Sequence, residues 1–266
     1  MRYAFQVQYI GKNYAGSQIQ FESGRQIPKP TIQGELEKAL CTLIFGKNAG
    51  RGDCEIGSNS KNCRLIKTVF SGRTDAGVNA LGQAAHFDVD KDIVASSFVY
   101  HLNEILPPDI SISDLRVVPE TFHAQKSAIR RCYRYEFINR KYKQAFDGDL
   151  MRVKYPVSVE RMKKSLSYLL GEHDFSSFKS SGTLNPSKVC ILYRSDVEKQ
   201  GDKIVLDIEA NRFLYNMVRT IVGTLLEIEG HNLEPVHMKN VLDAKDRTKA
   251  GQTVSPFGLT LMKVIY

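Results

Sequence analysis

Tyr3, Phe5, Val7 and Tyr9 alternate with Ala4, Gln6 and Gln8, which is the period of a strand with one buried face. The stretch 11–30 is rich in glycine, glutamine and proline and reads as a loop. From about Thr31, Leu36, Leu40, Leu43 and Ile44 recur at helical spacing, and Gly46 ends the run. Residues 47–67 are polar and glycine-rich without period, so an inserted surface loop is expected there. A strand is expected near 68–71, then a turn-rich stretch, then a strand carrying Ala85, Phe87 and Val89. Phe98, Leu102, Ile105 and Leu106 mark a second helix, which Pro107 and Pro108 stop because proline cannot continue the hydrogen-bond ladder. A strand near 110–118 closes the first half.

The second half opens with Tyr133, Tyr135 and Phe137 at period two. Met162, Leu166, Leu169 and Leu170 predict a helix from near Ser158 to Gly171. Strands are expected over 189–197 and 204–210, and a helix over 213–229. That helix is apolar on most of its circumference and therefore buried. A further helix over 236–244 precedes a final strand over 259–266. The pattern predicts an α+β chain of two similar halves, 1–118 and 119–266. Each mixes strands and helices in similar order, and the halves would face one another across a cleft. Segment 119–127 reads as the boundary, and no internal repeat is strong enough to prove duplication.

Composition narrows the class. The chain has 266 residues, 42% of them hydrophobic and 25% charged, as expected of a globular protein. No apolar run approaches the roughly 20 residues of a membrane span, and the N-terminus lacks an apolar leader region. Five cysteines without a C-x-x-C pair fit reduced thiols in a cytosol better than a disulfide framework. The histidines are scattered and no metal-ligand spacing appears, so no metal site is expected. The zinc-deaminase pattern is absent. Lysine and arginine exceed acidic residues by eight, which favours a polyanionic partner or merely a soluble surface. Basic residues interleave with aromatics at Arg130-Arg131-Cys132-Tyr133-Arg134-Tyr135 and Arg140-Lys141-Tyr142-Lys143, as a phosphate-gripping, base-stacking surface requires.

The densest chemical signal is Ser71-Gly72-Arg73-Thr74-Asp75-Ala76-Gly77-Val78. Two glycines let a short loop between strands project a carboxylate and a guanidinium, although a plain turn with a local Asx bond has the same outline. The longer string resembles the TruA family of tRNA pseudouridine synthases. The likeness runs from Gly72 through Ala80, Gly82-Gln83 and His86-Phe87 to Phe122-His123-Ala124 and Arg131-Cys132-Tyr133-Arg134-Tyr135. It continues in Gly171-Glu172-His173-Asp174-Phe175, Asn211-Arg212-Phe213, Met217-Val218-Arg219, Ala244-Lys245-Asp246-Arg247 and Gly258-Leu259.

The resemblance implies that each half is a mixed or antiparallel sheet with helices packed on it, and that the chain is an isomerase converting uridine to pseudouridine in the anticodon stem-loop of tRNA, at family positions 38–40. It implies a cytoplasmic homodimer without cofactor, since the base is detached at N1 and rejoined through C5 with no redox change. It makes Asp75 the catalytic carboxylate, adding to C1′ of the sugar, attacking C6 of uracil or assisting proton removal. Arg73 would enter the nucleic-acid stack and hold the nucleotide out, or else contact a phosphate. Tyr133 would stack on the flipped base, while Tyr135 and Phe137 read as core. Arg219 would pair with Asp75 and keep it ionised; the alternatives are capping carbonyls or reaching solvent. Leu259 would lie beside the base or in the core. Phe122, His123, Ala124, Gln125 and Lys126, and the loop 179–188, match stretches that touch tRNA, with a structural role favoured for the imidazoles of His123 and His173.

Two positions depart from the family pattern. Ser17 stands where an aromatic usually precedes Gln18, and Asn79 stands where a histidine usually follows D-A-G-V. Both put the packing near the Asp75 loop in question. A tRNA-binding protein without chemistry, or a synthase acting on other uridines, are the competing readings.

Overall fold

The structure is a computed structural model that describes residues 1–22, 25–26, 29–46, 66–180 and 187–266. The insertion expected at 47–67, apart from its last two residues, and most of the loop 179–188 lie outside the described residues. The chain divides into two compact units, Met1–Ala128 with Tyr266 and Ile129–Ile265. The division falls ten residues beyond the 118/119 boundary read from the sequence. The intervening segment is fastened to the first unit by Arg2, His86 and Tyr266, each of which bonds its backbone.

In the first unit, β1 (Arg2–Tyr9) pairs antiparallel with both β5 (Asn79–Asp88) and β6 (Ile110–Val118). The three-residue β4 (Thr68–Phe70) pairs with β5. A small separate ribbon joins β2 (Phe21–Glu22) to β3 (Arg25–Gln26). The alternation in β1 does its expected work: Tyr3, Phe5, Val7 and Tyr9 are buried. Phe87 stacks with Tyr3 and meets the edge of Phe5, and Phe98 of helix α2 (Ala95–Ile105) stacks on it from above the sheet. Helix α1 (Ile32–Phe45) begins where its cap predicts, because Thr31 Oγ1 accepts the Gly34 N–H at 3.1 Å.

In the second unit the strand order is β12-β7-β11-β10-β9. These are Leu259–Ile265, Arg130–Asn139, Lys203–Ala210, Val189–Gln200 and Gly171–Asp174 respectively. All four pairings are antiparallel. The two-residue β8 (Arg152–Val153) adds a parallel edge to β7. Helices α3 (Val159–Ser167), α4 (Met217–Gly230) and α5 (His237–Ala244) pack on one another, with α3 also against β10 and α4 against β7. Helix α4 starts four residues later than its apolar pattern predicts. Asn216 adopts a left-handed φ of 61°, which ends the preceding turn before helical geometry sets in. The α+β class read from the sequence is the class observed. No helix among the described residues is long and apolar enough to cross a membrane.

Candidate active site

Between β4 and β5 the chain makes the short loop that carries Asp75, and its support comes from side chains far away in sequence. Gln83 of β5 closes the neck: its Oε1 accepts from Ser71 Oγ at 2.5 Å and its Nε2 donates to Gly72 O at 2.9 Å. Thr74 is held on three sides. Its N–H donates to Ser17 Oγ at 2.8 Å, its carbonyl accepts the Ser17 N–H at 3.1 Å, and its hydroxyl shares a 2.7 Å bond with the Tyr9 phenol. Asp75 then pairs with Gly16 as an isolated antiparallel bridge, and its carbonyl accepts the Val78 N–H through a turn with Gly77 at φ 81°. Ser17, Gln83 and Thr74 are all buried, and the bonds from Ser71 to Gln83, from Thr74 to Ser17 and between Thr74 and Tyr9 are shielded from water. Burial pushes the Tyr9 phenol up to about 12, so it remains a neutral hydroxyl at ordinary pH.

Gly16 is required twice over at this bridge. Its φ is +119°, and a Cβ there would stand 2.8 Å from Thr74 O. The segment 15–17 is itself tied to α1, since Gly16 O and Ser17 O accept the N–H groups of Ile32 and Gln33. The backbone on both sides of Asp75 is therefore fixed to a helix and two strands, while its side chain stays only half-buried. Next to it Arg73 is exposed and donates to Gln20 Oε1 at 2.9 Å; Gln20 Nε2 in turn donates to Ala15 O at 2.5 Å.

Both departures from the family pattern are parts of this support. Ser17 supplies the acceptor for Thr74, and Asn79 Oδ1 accepts the Gly11 N–H at 2.9 Å. Reading the sequence missed Tyr9, Ser17 and Gln83 as a group. The one available cue was an amide, Gln83, in a strand whose neighbouring positions are apolar.

The second unit gathers Arg219, Leu259 and Tyr135. Arg219 lies in the first turn of α4, half-buried; its Nε donates to Val254 O at 2.8 Å and its Nη1 to Asn216 Oδ1 at 2.7 Å. The residues around 251–254 press against α4 so closely that a Cβ on Gly223 would reach 1.7 Å from Gln252 O. Tyr135 is fully buried, donates to Ser255 O at 2.9 Å and sits opposite Leu259 in register. Burial raises its phenol pKa, and the positive charge of Arg219 works against that rise. Tyr133, two residues earlier on the same face of β7, differs from its neighbours. Tyr135 and Phe137 are core, whereas Tyr133 is half-exposed and meets Phe213 edge to face at 5.1 Å. Leu259 is buried at 6% exposure.

The segment 122–126 belongs to the first unit and is bent into a tight turn. Arg2 Nη1 donates to Phe122 O at 2.7 Å, Tyr266 OH to Ala124 O at 2.7 Å, and Ala124 N–H to His86 Nδ1 at 3.2 Å. The imidazole of His123 accepts from the N–H groups of Gln125 and Lys126, which is the structural role expected of it. His86 is buried beside Arg2 and His123; desolvation, with the positive charge of Arg2, lowers its pKa to about 4. Ala124 is buried, Phe122 and His123 are half-buried, and Gln125 and Lys126 face solvent. Asp75, Arg73 and the 122–126 turn thus stand in one unit, and Tyr133, Arg219 and Leu259 in the other.

Residues 166–266 match the family model described as tRNA pseudouridine synthase. The chain is 39% identical to the tRNA pseudouridine synthase A of Thermoanaerobacter sp. strain X514 over 98% of this chain and 97% of that one. It is 38% identical to the protein of the same name from Caldicellulosiruptor saccharolyticus over 98% of this chain and 97% of the relative. For that of Bacillus subtilis strain 168 the identity is 36%, over all of this chain and 99% of the relative.

Proposed function

This chain belongs to the tRNA pseudouridine synthase A family, and on that premise we propose the activity that its geometry supports best: isomerisation of uridine to pseudouridine in the anticodon stem-loop of tRNA, with Asp75 as the catalytic carboxylate. The observation that carries the assignment is the loop itself. A half-buried carboxylate stands on a backbone anchored by four buried polar side chains, Tyr9, Ser17, Ser71 and Gln83. Such support is what a group that must meet one atom of a nucleotide needs, because small misplacements in catalysis are costly.

The reaction breaks the N1–C1′ bond and forms C5–C1′; the C5 proton is released and N1 gains one, so atoms and electrons balance without a redox partner. Asp75 serves this exchange at C1′, at C6 or at the departing C5 proton. Arg73, exposed beside it, takes the place of the extruded nucleotide in the stack. Tyr133 offers a half-exposed ring to the base and Leu259 an apolar neighbour. Arg219, anchored through Val254 O and Asn216 Oδ1, contributes positive charge to substrate binding. The turn 122–126 contacts the RNA, chiefly through Gln125 and Lys126. The enzyme works as a cytoplasmic homodimer.

Replacing Asp75 with Asn retains shape and removes the negative charge. Release of tritium from tRNA labelled at C5 of uridine should then cease while tRNA binding persists. Release at the wild-type rate would overturn the assignment, and mapping pseudouridine across a cell's RNA with and without the protein identifies the positions modified.

A further inference from the structure

The basic and aromatic run at Arg140-Lys141-Tyr142-Lys143 takes no part in the site above. It opens the loop between β7 and β8, and that loop is stiff. Arg140 is almost wholly buried, its side chain 8% exposed, and pairs with Asp147 and with Asp202, the latter at 3.0 Å. Its Nε donates to Tyr142 O at 2.9 Å, and its guanidinium lies 5.5 Å from the centre of the Tyr142 ring. Gln144 N–H donates to Asp147 Oδ2 at 3.0 Å, which closes the turn of 3-10 helix Ala145–Asp147. At the base of the loop Asn139 Nδ2 donates to the carbonyls of Val153 and Tyr155.

This frame presents two aromatic rings to solvent. Phe146 is completely exposed, at 102%, and Tyr142 is 64% exposed. A phenylalanine with no burial contributes no hydrophobic stabilisation to its own fold, and its ring is available to a partner. The surroundings are basic: over 141–154 four basic residues (Lys141, Lys143, Arg152, Lys154) stand against two acidic ones, Asp147 and Asp149. One of those two acids is held by Arg140. Lysines are depleted from protein–protein interface cores, whereas cations beside exposed rings suit phosphates beside stacked bases.

We propose that the loop 140–149 is an additional contact surface for the tRNA substrate, with Phe146 and Tyr142 stacking on bases and Lys141 and Lys143 on phosphates. The proposal rests on the tRNA-modifying reading above. Because the frame is already built, stacking costs little ordering, and the loop adds affinity rather than chemistry.

The test uses the full chain and an unmodified tRNA transcript. Phe146→Ala with Tyr142→Ala should weaken binding roughly 5- to 100-fold, the range for lost base–aromatic stacking. Lys141→Gln with Lys143→Gln should make the log affinity against log salt slope shallower by about 1–2. A photo-crosslinking phenylalanine analogue at position 146 should attach to RNA. Unchanged affinity in both double variants overturns the proposal, and so does a crosslink to a second copy of the chain in place of RNA. If the wild-type chain itself fails to bind tRNA, the functional reading falls with it; loss confined to this loop's contribution leaves that reading intact.

Discussion

Replacing Ser17 with Ala isolates the support of Asp75 from its chemistry. The change removes one oxygen, and with it the acceptor that receives the Thr74 N–H at 2.8 Å inside a fully buried pocket. The same hydroxyl also lies within reach of the Tyr9 phenol, so the small network loses a second partner. Leaving a buried backbone N–H without an acceptor costs about 1–3 kcal/mol. For a chain of this size that corresponds to a fall in melting temperature of roughly 2–12 °C. The Ser17 N–H to Thr74 O bond and the Gly16–Asp75 bridge survive, so the loop loosens without unfolding. A carboxylate free to wander by about 1 Å loses on the order of tenfold to a hundredfold in rate. Turnover, followed by tritium release well below the melting transition, should therefore drop in kcat with little change in KM for tRNA. Tyr9→Phe, which removes the other hydroxyl bound to Thr74, should act in the same direction. A Ser17→Ala protein with wild-type melting temperature and wild-type kcat would refute the claim that this side chain holds the catalytic loop.

Two further outcomes follow from the packing and the charges. Gly223→Ala should destabilise the chain by about 1–3 kcal/mol or more, because the new Cβ would overlap Gln252 O and push the 251–254 segment, with its bond to Arg219, off α4; an unchanged denaturation midpoint would contradict it. His86, held neutral by burial with its folded pKa lowered to about 4 from 6.5, contributes stability that is complete above about 6.5 and is lost as pH falls toward 4, since the unfolded chain takes up the proton first. His86→Asn, which keeps an acceptor for the Ala124 N–H, should flatten that decline in unfolding free energy between pH 6.5 and 4, and equal slopes in both proteins would exclude His86 as its source.

What was legible in the sequence was whatever one element decides for itself. The alternation of Tyr3, Phe5, Val7 and Tyr9 marks β1 because one face of that strand is buried, and Thr31 with Gly46 bounds α1 because both ends of a helix need caps. Phe213 and Leu214 continue the apolar pattern and so predict an earlier start for α4, but the left-handed Asn216 precedes the observed start at Met217. The two-residue β8 and the short β9 have too few residues to show any period. The support of Asp75 was hidden for a different reason. It is made of side chains that reach across 57 residues, from Ser17 to Thr74, and 65 residues, from Tyr9 to Thr74, and contacts at that range leave no trace in local pattern. The family resemblance pointed at the loop through Asp75 but treated Ser17 and Asn79 as blemishes. Their hydrogen bonds give them another meaning. An aromatic at position 17 would support the loop by filling space, whereas a serine does so by satisfying the buried N–H of Thr74. A 2.8 Å hydrogen bond fixes both distance and direction, so Ser17 positions the backbone one residue before Asp75 through a specific contact.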